Sequence, residues 1–186
     1  MTMTLTQTIP GYVAGTWAID PGHSEVGFTV RHMMISKTRG KFTRFSGELI
    51  TAPDVLSSSV TAEIDLASVD TGNSQRDAHL RAPDFFDVDS HPWMRYRSTG
   101  LRPEGGHYVL DGELTLKDVT KNVPLTLEVN GFGPDMWGGT RVGFTAVGEI
   151  NRQDFGVTWN AAIEAGGVAI SDKVTIHLEI EAVRQA

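Results

Sequence analysis

The stretch TGNSQRDAHLRAPDFFDVDSHP, from Thr71 to Pro92, is the longest interruption in a chain that otherwise alternates apolar and polar residues. It opens on a turn, Thr71-Gly72-Asn73. About eight residues with helical potential follow, Ser74 to Arg81, and Ala82-Pro83 stops them. Ser74 is the expected cap, with Asp77 three residues on as a weak capping-box partner. At helical spacing Arg76 and His79 share one face, and Asp77 and Arg81 share another as a local ion pair. Phe85 and Phe86 then demand a core. The segment reads as the closure of one end of a β-structure, and as its chemically distinctive mouth.

Outward from this segment the period is two. Val26, Phe28, Val30 and His32 fall on one face of a strand from His23 to Met33. From Lys37 to Thr51 the pattern is less regular: Phe42 and Phe45 are out of phase, which predicts a bend near Thr43-Arg44. Val60, Ala62, Ile64 and Leu66 alternate before the segment, and Met94 and Tyr96 after it. Leu110, Gly112 and Leu114 share a face, as do Val142, Phe144, Ala146 and Gly148, and Ile176, Leu178, Ile180 and Ala182. Pro124 marks an irregular or edge-like position, and Thr158 to Asn160 a brief pairing. This gives about eight strands with short links, hence antiparallel neighbours. A sandwich and a closed barrel both satisfy the pattern. The small inward residues Ala62, Gly112, Ala146, Gly148 and Ala182 leave space, which bulkier facing residues fill or which forms a ligand cavity.

Composition narrows the function. The chain has 186 residues, no cysteine and a net charge of −7, with no basic run suited to nucleic acid. No disulfide framework is available, and no apolar run is long enough for a membrane helix. Residues 1–16 lack the pattern of a secretory leader and read as a flexible arm before one domain, 17–184, with the cytoplasm as the expected location.

The expected wall is apolar: Val26, Phe28 and Val30; Ile64 and Leu66; Tyr96; Leu110 and Leu114; Val142, Phe144 and Ala146; Ile176 and Leu178. Such a wall suits a plain core or a long hydrocarbon, whose burial yields roughly 0.8 kcal/mol per methylene. The expected polar mouth is His32, Arg76, His79 and Arg81, with Arg76 and His79 free to meet a headgroup. Asn151 to Gly156 is a second dense polar segment. It reads either as an Asx-type turn with an Arg152–Asp154 clasp and Phe155 as a plug, or as Arg152 added to the mouth. His23, His32, His79 and His91 do not follow a compact zinc spacing, so no metal is expected. Ser24 lies beside His23 and Glu25, but neighbouring strand residues point to opposite faces and make no triad. No catalytic residue is assigned.

Several blocks in order resemble the YceI-like family of polyisoprenoid-binding proteins. These are WAIDPGHSEVGFTVRHMMISKTRGKF (Trp17–Phe42), TGNSQRDAHLRAPDFFDV (Thr71–Val88), LDGELTLKDVTKNVPLTLEV (Leu110–Val129), VGFTAVGEINRQDFGVTW (Val142–Trp159) and ISDKVTIHLEIEA (Ile170–Ala182). The resemblance implies an all-β, extended, eight-stranded antiparallel lipocalin-like barrel with the short helical segment at about 74–81. It implies a binding or carrier protein, not an enzyme, with a long polyprenyl lipid or isoprenoid quinone as ligand, no separate cofactor, and a homodimer. The alternatives are an enzyme that modifies such a lipid and a ligand-free structural or stress-response barrel. Asp118 stands where the family usually has glycine, and aspartate tolerates the same turn.

Overall fold

Eight antiparallel staves close into a barrel, and four of them are built from two strands each. The computed structural model describes residues 9–162 and 167–186, so the first eight residues of the expected N-terminal arm lie outside the described residues. The first stave joins β1 (Gly15–Ile19) to β2 (Glu25–His32), and the second joins β3 (Ser36–Phe42) to β4 (Phe45–Thr51). The third is β5 (Ser59–Asp65) with the two-residue β6 (Val69–Asp70). The helix α1 (Ser74–Arg81) follows, then β7 (Trp93–Glu104) and β8 (His107–Leu116). β9 (Val119–Asn122) and β10 (Leu125–Pro134) lie in line along β8, and β11 (Thr140–Asn151) and β12 (Ile170–Arg184) complete the set. β12 closes the ring by pairing with both halves of the first stave: Ile176 meets Phe28, and Ile19 meets Ala182.

The breaks within staves have local causes. At the first, Asp20 accepts from the Gly22 amide and caps a one-turn helix at Pro21–His23. Ser24 then substitutes for a ladder partner: its Oγ accepts from the Glu181 amide and donates to the Glu181 carbonyl. The bend expected near Thr43-Arg44 separates β3 from β4. Its amides donate to the Ser68 carbonyl (3.2 Å) and the Ser68 Oγ (3.0 Å), which ties this corner to the break in the third stave. Pro124 sits between β9 and β10, where no amide is needed. Lys117 and Asp118 both take positive φ in the β8–β9 turn, as the aspartate-for-glycine exchange requires.

Two of the small inward residues serve neighbours rather than open space. A Cβ at Gly112 would fall 2.3 Å from the Tyr96 hydroxyl, and one at Gly148 would fall 2.6 Å from Leu125 Cδ2. The Tyr96 ring lies over Gly112, and its hydroxyl donates to the Val123 carbonyl at 2.9 Å; burial pushes its pKa upward. Ala182 packs instead with Trp17 and Val142 in a separate cluster at one end of the barrel. There Trp17 is completely buried, its Nε1 donates to Thr51 Oγ1 at 2.8 Å, and Phe132 stands edge-on to it. This end is closed by packed aromatic residues.

Candidate functional site

The middle of the barrel holds a cavity of about 390 Å³, within the usual range for a small-molecule site. Every stave contributes to its wall. Val26, Phe28 and Val30 line it, as do Ile64, Tyr96, Leu110, Leu114, Phe144, Ala146, Ile176 and Leu178, all expected from alternation. Two expected wall residues stand elsewhere. Leu66 is wholly buried in the one-turn helix Leu66–Ser68, because the strand ends before it. Val142 faces a separate cavity of about 70 Å³ at the closed end, beside Tyr12 and Phe132. The main cavity also takes Met94, Leu125, Leu127 and Ile150, which belong to the same alternation.

The other end of the barrel is built differently. β6 pairs with only Lys41 and Phe42 of β3, so the wall stops short there. The segment after it fills the gap. Asn73, not Ser74, caps α1: its side chain accepts from the Arg76 amide at 3.0 Å. Asp77 does not pair with Arg81. It is buried, and one of its oxygens accepts from both the amide (2.9 Å) and the hydroxyl (2.6 Å) of Thr71. The carboxylate thereby folds the entry turn onto the first turn of the helix, and Arg81 is left off the cavity wall. Phe86 then packs on Phe42 (5.9 Å), while Phe85 packs on Trp159 (5.4 Å). His79 stands edge-on to both Phe85 and Trp159 at 4.9 Å and contacts Asp84 through Nε2 at 2.9 Å.

The polar side chains on the cavity are gathered at this end. They are Arg31, His32 and Thr38 from the β2–β3 hairpin, Thr71, Arg76 and His79 from the α1 segment, and Arg152. Arg76 spends two of its nitrogens on Thr71 and keeps an exposed guanidinium edge. Arg152 spends all of its nitrogens on backbone. Nε donates to Ser171 O, Nη1 to Val157 O and Trp159 O, and Nη2 to Ile170 O. It is only 4% exposed, and burial lowers its pKa against the opposing field of Asp172. The clasp is therefore with four carbonyls and not with Asp154, and Arg152 holds the strandless run after β11 against the start of β12. Phe155 plugs the barrel beside it, 1% exposed. Trp159 makes no strand pairing at all; it turns inward onto the cavity at the mouth. Arg31 was hidden from sequence reasoning because its strand parity points outward, and Trp159 because it lies in an aperiodic run whose one signal was an unplaced large aromatic.

The histidines do not converge. His23 sits at the closed end with Asp20 and Glu181, a possible ligand trio, but Arg141 already bonds both carboxylates there, at 2.8 and 3.0 Å. His91 packs near Asp87 and Asp118. His32 and His79 are at the mouth.

Comparison with known proteins agrees with this geometry. The YceI-like domain family matches residues 17–182. A UPF0312 protein of Photorhabdus laumondii is 37% identical over 176 residues, covering 93% of this chain and 88% of its own. The crystal structure of BcnA from Burkholderia cenocepacia superposes with a TM-score of 0.77 at 25% identity, covering 88% of this chain and 98% of its own. A domain from Saccharophagus degradans described as polyisoprenoid binding has the same fold, with a TM-score of 0.69 at 16% identity over 93% of this chain and 100% of its own. With a closed eight-stranded barrel, an apolar interior and a family match over nearly its whole length, the chain belongs to the YceI-like domain family.

Proposed function

We propose that this protein is a binding or carrier protein that holds a long isoprenoid lipid, a polyprenyl chain or an isoprenoid quinone, in the barrel cavity. One observation carries the reading: an apolar cavity fills the middle of a barrel closed at one end, and its charged side chains gather at the other end. That distribution fits an amphiphile with a long hydrocarbon tail and one polar head. The tail lies along Phe28, Tyr96, Leu114, Ala146 and Ile176, where each methylene taken from water contributes roughly 0.8 kcal/mol. The head rests near His32, Arg76 and His79. Arg76 retains donors for a phosphate or carbonyl oxygen. Arg152 supports this end by fixing the chain around it, and Arg81 lies off the cavity wall. The Saccharophagus degradans domain, described as polyisoprenoid binding, supports the ligand class through a shared fold.

Native mass spectrometry of the purified protein, followed by organic extraction and lipid mass analysis, tests this. The expected result is a stoichiometric adduct whose mass series has isoprene spacing. A bare protein that also fails to take up a long prenyl lipid on titration overturns the proposal.

A further inference from the structure

The β2–β3 hairpin ends in Met33-Met34-Ile35, beside the cavity mouth. These side chains are 38%, 53% and 82% exposed. Met33 and Met34 have φ of 52° and 61°, the backbone of a tight turn that Asn-Gly adopts at little cost and bulky side chains adopt under strain. The tip is nonetheless anchored: the Met33 amide donates to the Ala169 carbonyl at 2.8 Å. Two methionines and an isoleucine are thus held out into solvent in a costly conformation. Strain of this kind persists where the surroundings enforce it, and it gathers at functional sites.

The same hairpin has a charge pattern opposite to that of the whole chain. Between Glu25 and Glu48 there is no acidic residue, but Arg31, Lys37, Arg39, Lys41 and Arg44 all occur, in a protein of net charge −7. Arg31 pairs in register with Lys37, Thr29 with Arg39 and Gly27 with Lys41, so four cations share the outer face. Arg44 is bound to Asp65; the other four make no ion pair among the described residues. Of the carboxylates at this end, Asp84 and Asp172 face His79 and Arg152, Asp87 and Asp118 face His91, and Asp70 and Asp77 accept from the Gly72 and Thr71 amides. The carboxylates of Asp20, Asp135 and Glu181 cluster at the opposite end.

We infer that the hairpin tip is a membrane-docking surface: Met33, Met34 and Ile35 enter the interface of an anionic phospholipid bilayer, and Arg31, Lys37, Arg39 and Lys41 meet its headgroups. An apolar wedge flanked by cations is the composition that binds such an interface. The purpose of the surface rests on the carrier reading, since a lipid passing between bilayer and cavity then need not cross open water. The docking itself does not depend on what the cavity holds.

Vesicles of phosphatidylcholine alone, and of an equal mixture with phosphatidylglycerol, test this without any prenyl lipid, so that failure of docking and failure of lipid capture are read separately. The full chain is expected to bind the anionic vesicles, more weakly as salt rises, and not the neutral ones. K37Q/R39Q is expected to bind them roughly 30-fold more weakly, at about fivefold per cation lost near the surface. M34S/I35S is expected to keep its melting temperature and lose the binding. The chain has no cysteine, so Ile35→Cys places an environment-sensitive dye at one site; its emission should shift blue on anionic vesicles, and that of Thr16→Cys should not. Equal binding to both vesicle types, no binding, or a response at Thr16→Cys instead overturns the proposal. So does a result in which M34S/I35S splits a dimer and leaves vesicle binding intact, which makes the tip a contact between copies. Self-association of K37Q/R39Q with unchanged vesicle binding also overturns it, because the cations then only guard the β3 edge.

Discussion

The two ends of this barrel are made from similar residues and do opposite things. At the closed end Trp17, Phe132, Val142 and Ala182 pack on one another, and the one indole donor is met by Thr51, whose hydroxyl in turn donates to the Val13 carbonyl at 2.7 Å. At the mouth Phe42, Phe85, Phe86 and Trp159 are as numerous, but they stand around a space rather than filling one. The difference lies in how the backbone arrives. The closed end is ladder on most sides, with Tyr12 packed edge-on to Phe132 where β10 runs past β8, so side chains meet at close to sheet spacing. The mouth is assembled from α1, the run after β11 and the β2–β3 hairpin, and buried polar groups have to hold these pieces in place. Asp77 and Arg152 are those groups. A barrel closed by ladder at both ends would be a core; one whose second end is tied by two ionic side chains to backbone atoms can keep a cavity and an entrance.

The comparison predicts where substitutions unfold the protein and where they only empty it. Arg152→Met carries the largest effect. It strips the Ser171, Val157 and Trp159 carbonyls of their side-chain donor at a buried guanidinium site, at a cost on the order of 4 kcal/mol, while Ile170 O keeps Asn160 Nδ2. Urea unfolding should show this loss, and lipid capture should fall with it because the Trp159 side of the mouth is released. Arg152→Lys should recover little, since one ammonium cannot span four acceptors. Trp17→Ala removes comparable stability, about 3–5 kcal/mol, yet the protein that remains folded should take up prenyl lipid as before. If capture and stability fall together in Trp17→Ala, the two ends are not separable and the comparison fails. Ala146→Phe inverts the pattern: overpacking costs about 1–3 kcal/mol, but long chains should be excluded from a folded barrel. Unchanged uptake of long chains by this variant would remove the central cavity from the proposal.

The sequence made one end far more legible than the other, for a physical reason. Strand faces declare themselves through period two, and so the wall from Val26 to Leu178 could be read almost residue by residue. Its two exceptions, Leu66 and Val142, are places where a strand ends or where the interior changes from cavity to plug, and alternation carries no information about either. The small residues misled in a related way. Gly112 and Gly148 are inward, as the period says, but what fills the space above them is a neighbour across the sheet. At the mouth periodicity is absent, and charge type alone suggested an Arg152–Asp154 clasp and Asp77–Arg81 as a pair. Both readings failed because free backbone carbonyls and amides outside the ladder compete for charged side chains, and a one-dimensional pattern does not show which backbone groups are left unpaired. The resemblance to a family supplied barrel closure, which alternation alone could not separate from a sandwich.

The smallest expected effect lies at the closed end. Asp20 accepts from Arg141 Nη1 at 2.8 Å, and Arg141 also bonds Glu181 and Asp135. The hydrogen bond from Arg141, with a further one from His23, lowers the Asp20 pKa from its ordinary 3.8 to about 2. A carboxyl with a depressed folded-state pKa contributes stability that is fully present above its unfolded pKa and is lost as the pH falls through the folded one. In Arg141→Gln the main cause of the depression is gone. The stability gap between wild type and variant should therefore be constant from neutral pH down to about 4, and should shrink as the pH drops toward 2. Because the pair is partly open to solvent, the gap should be well below that of Trp17→Ala, and added salt should narrow it further. Urea unfolding at several pH values measures this. A gap that persists unchanged below pH 2 assigns the role of Arg141 to packing against Trp137, whose ring lies 5.6 Å away, rather than to charge. The closed end would then be held by apolar contact throughout, and its contrast with the ion-tied mouth would be sharper still.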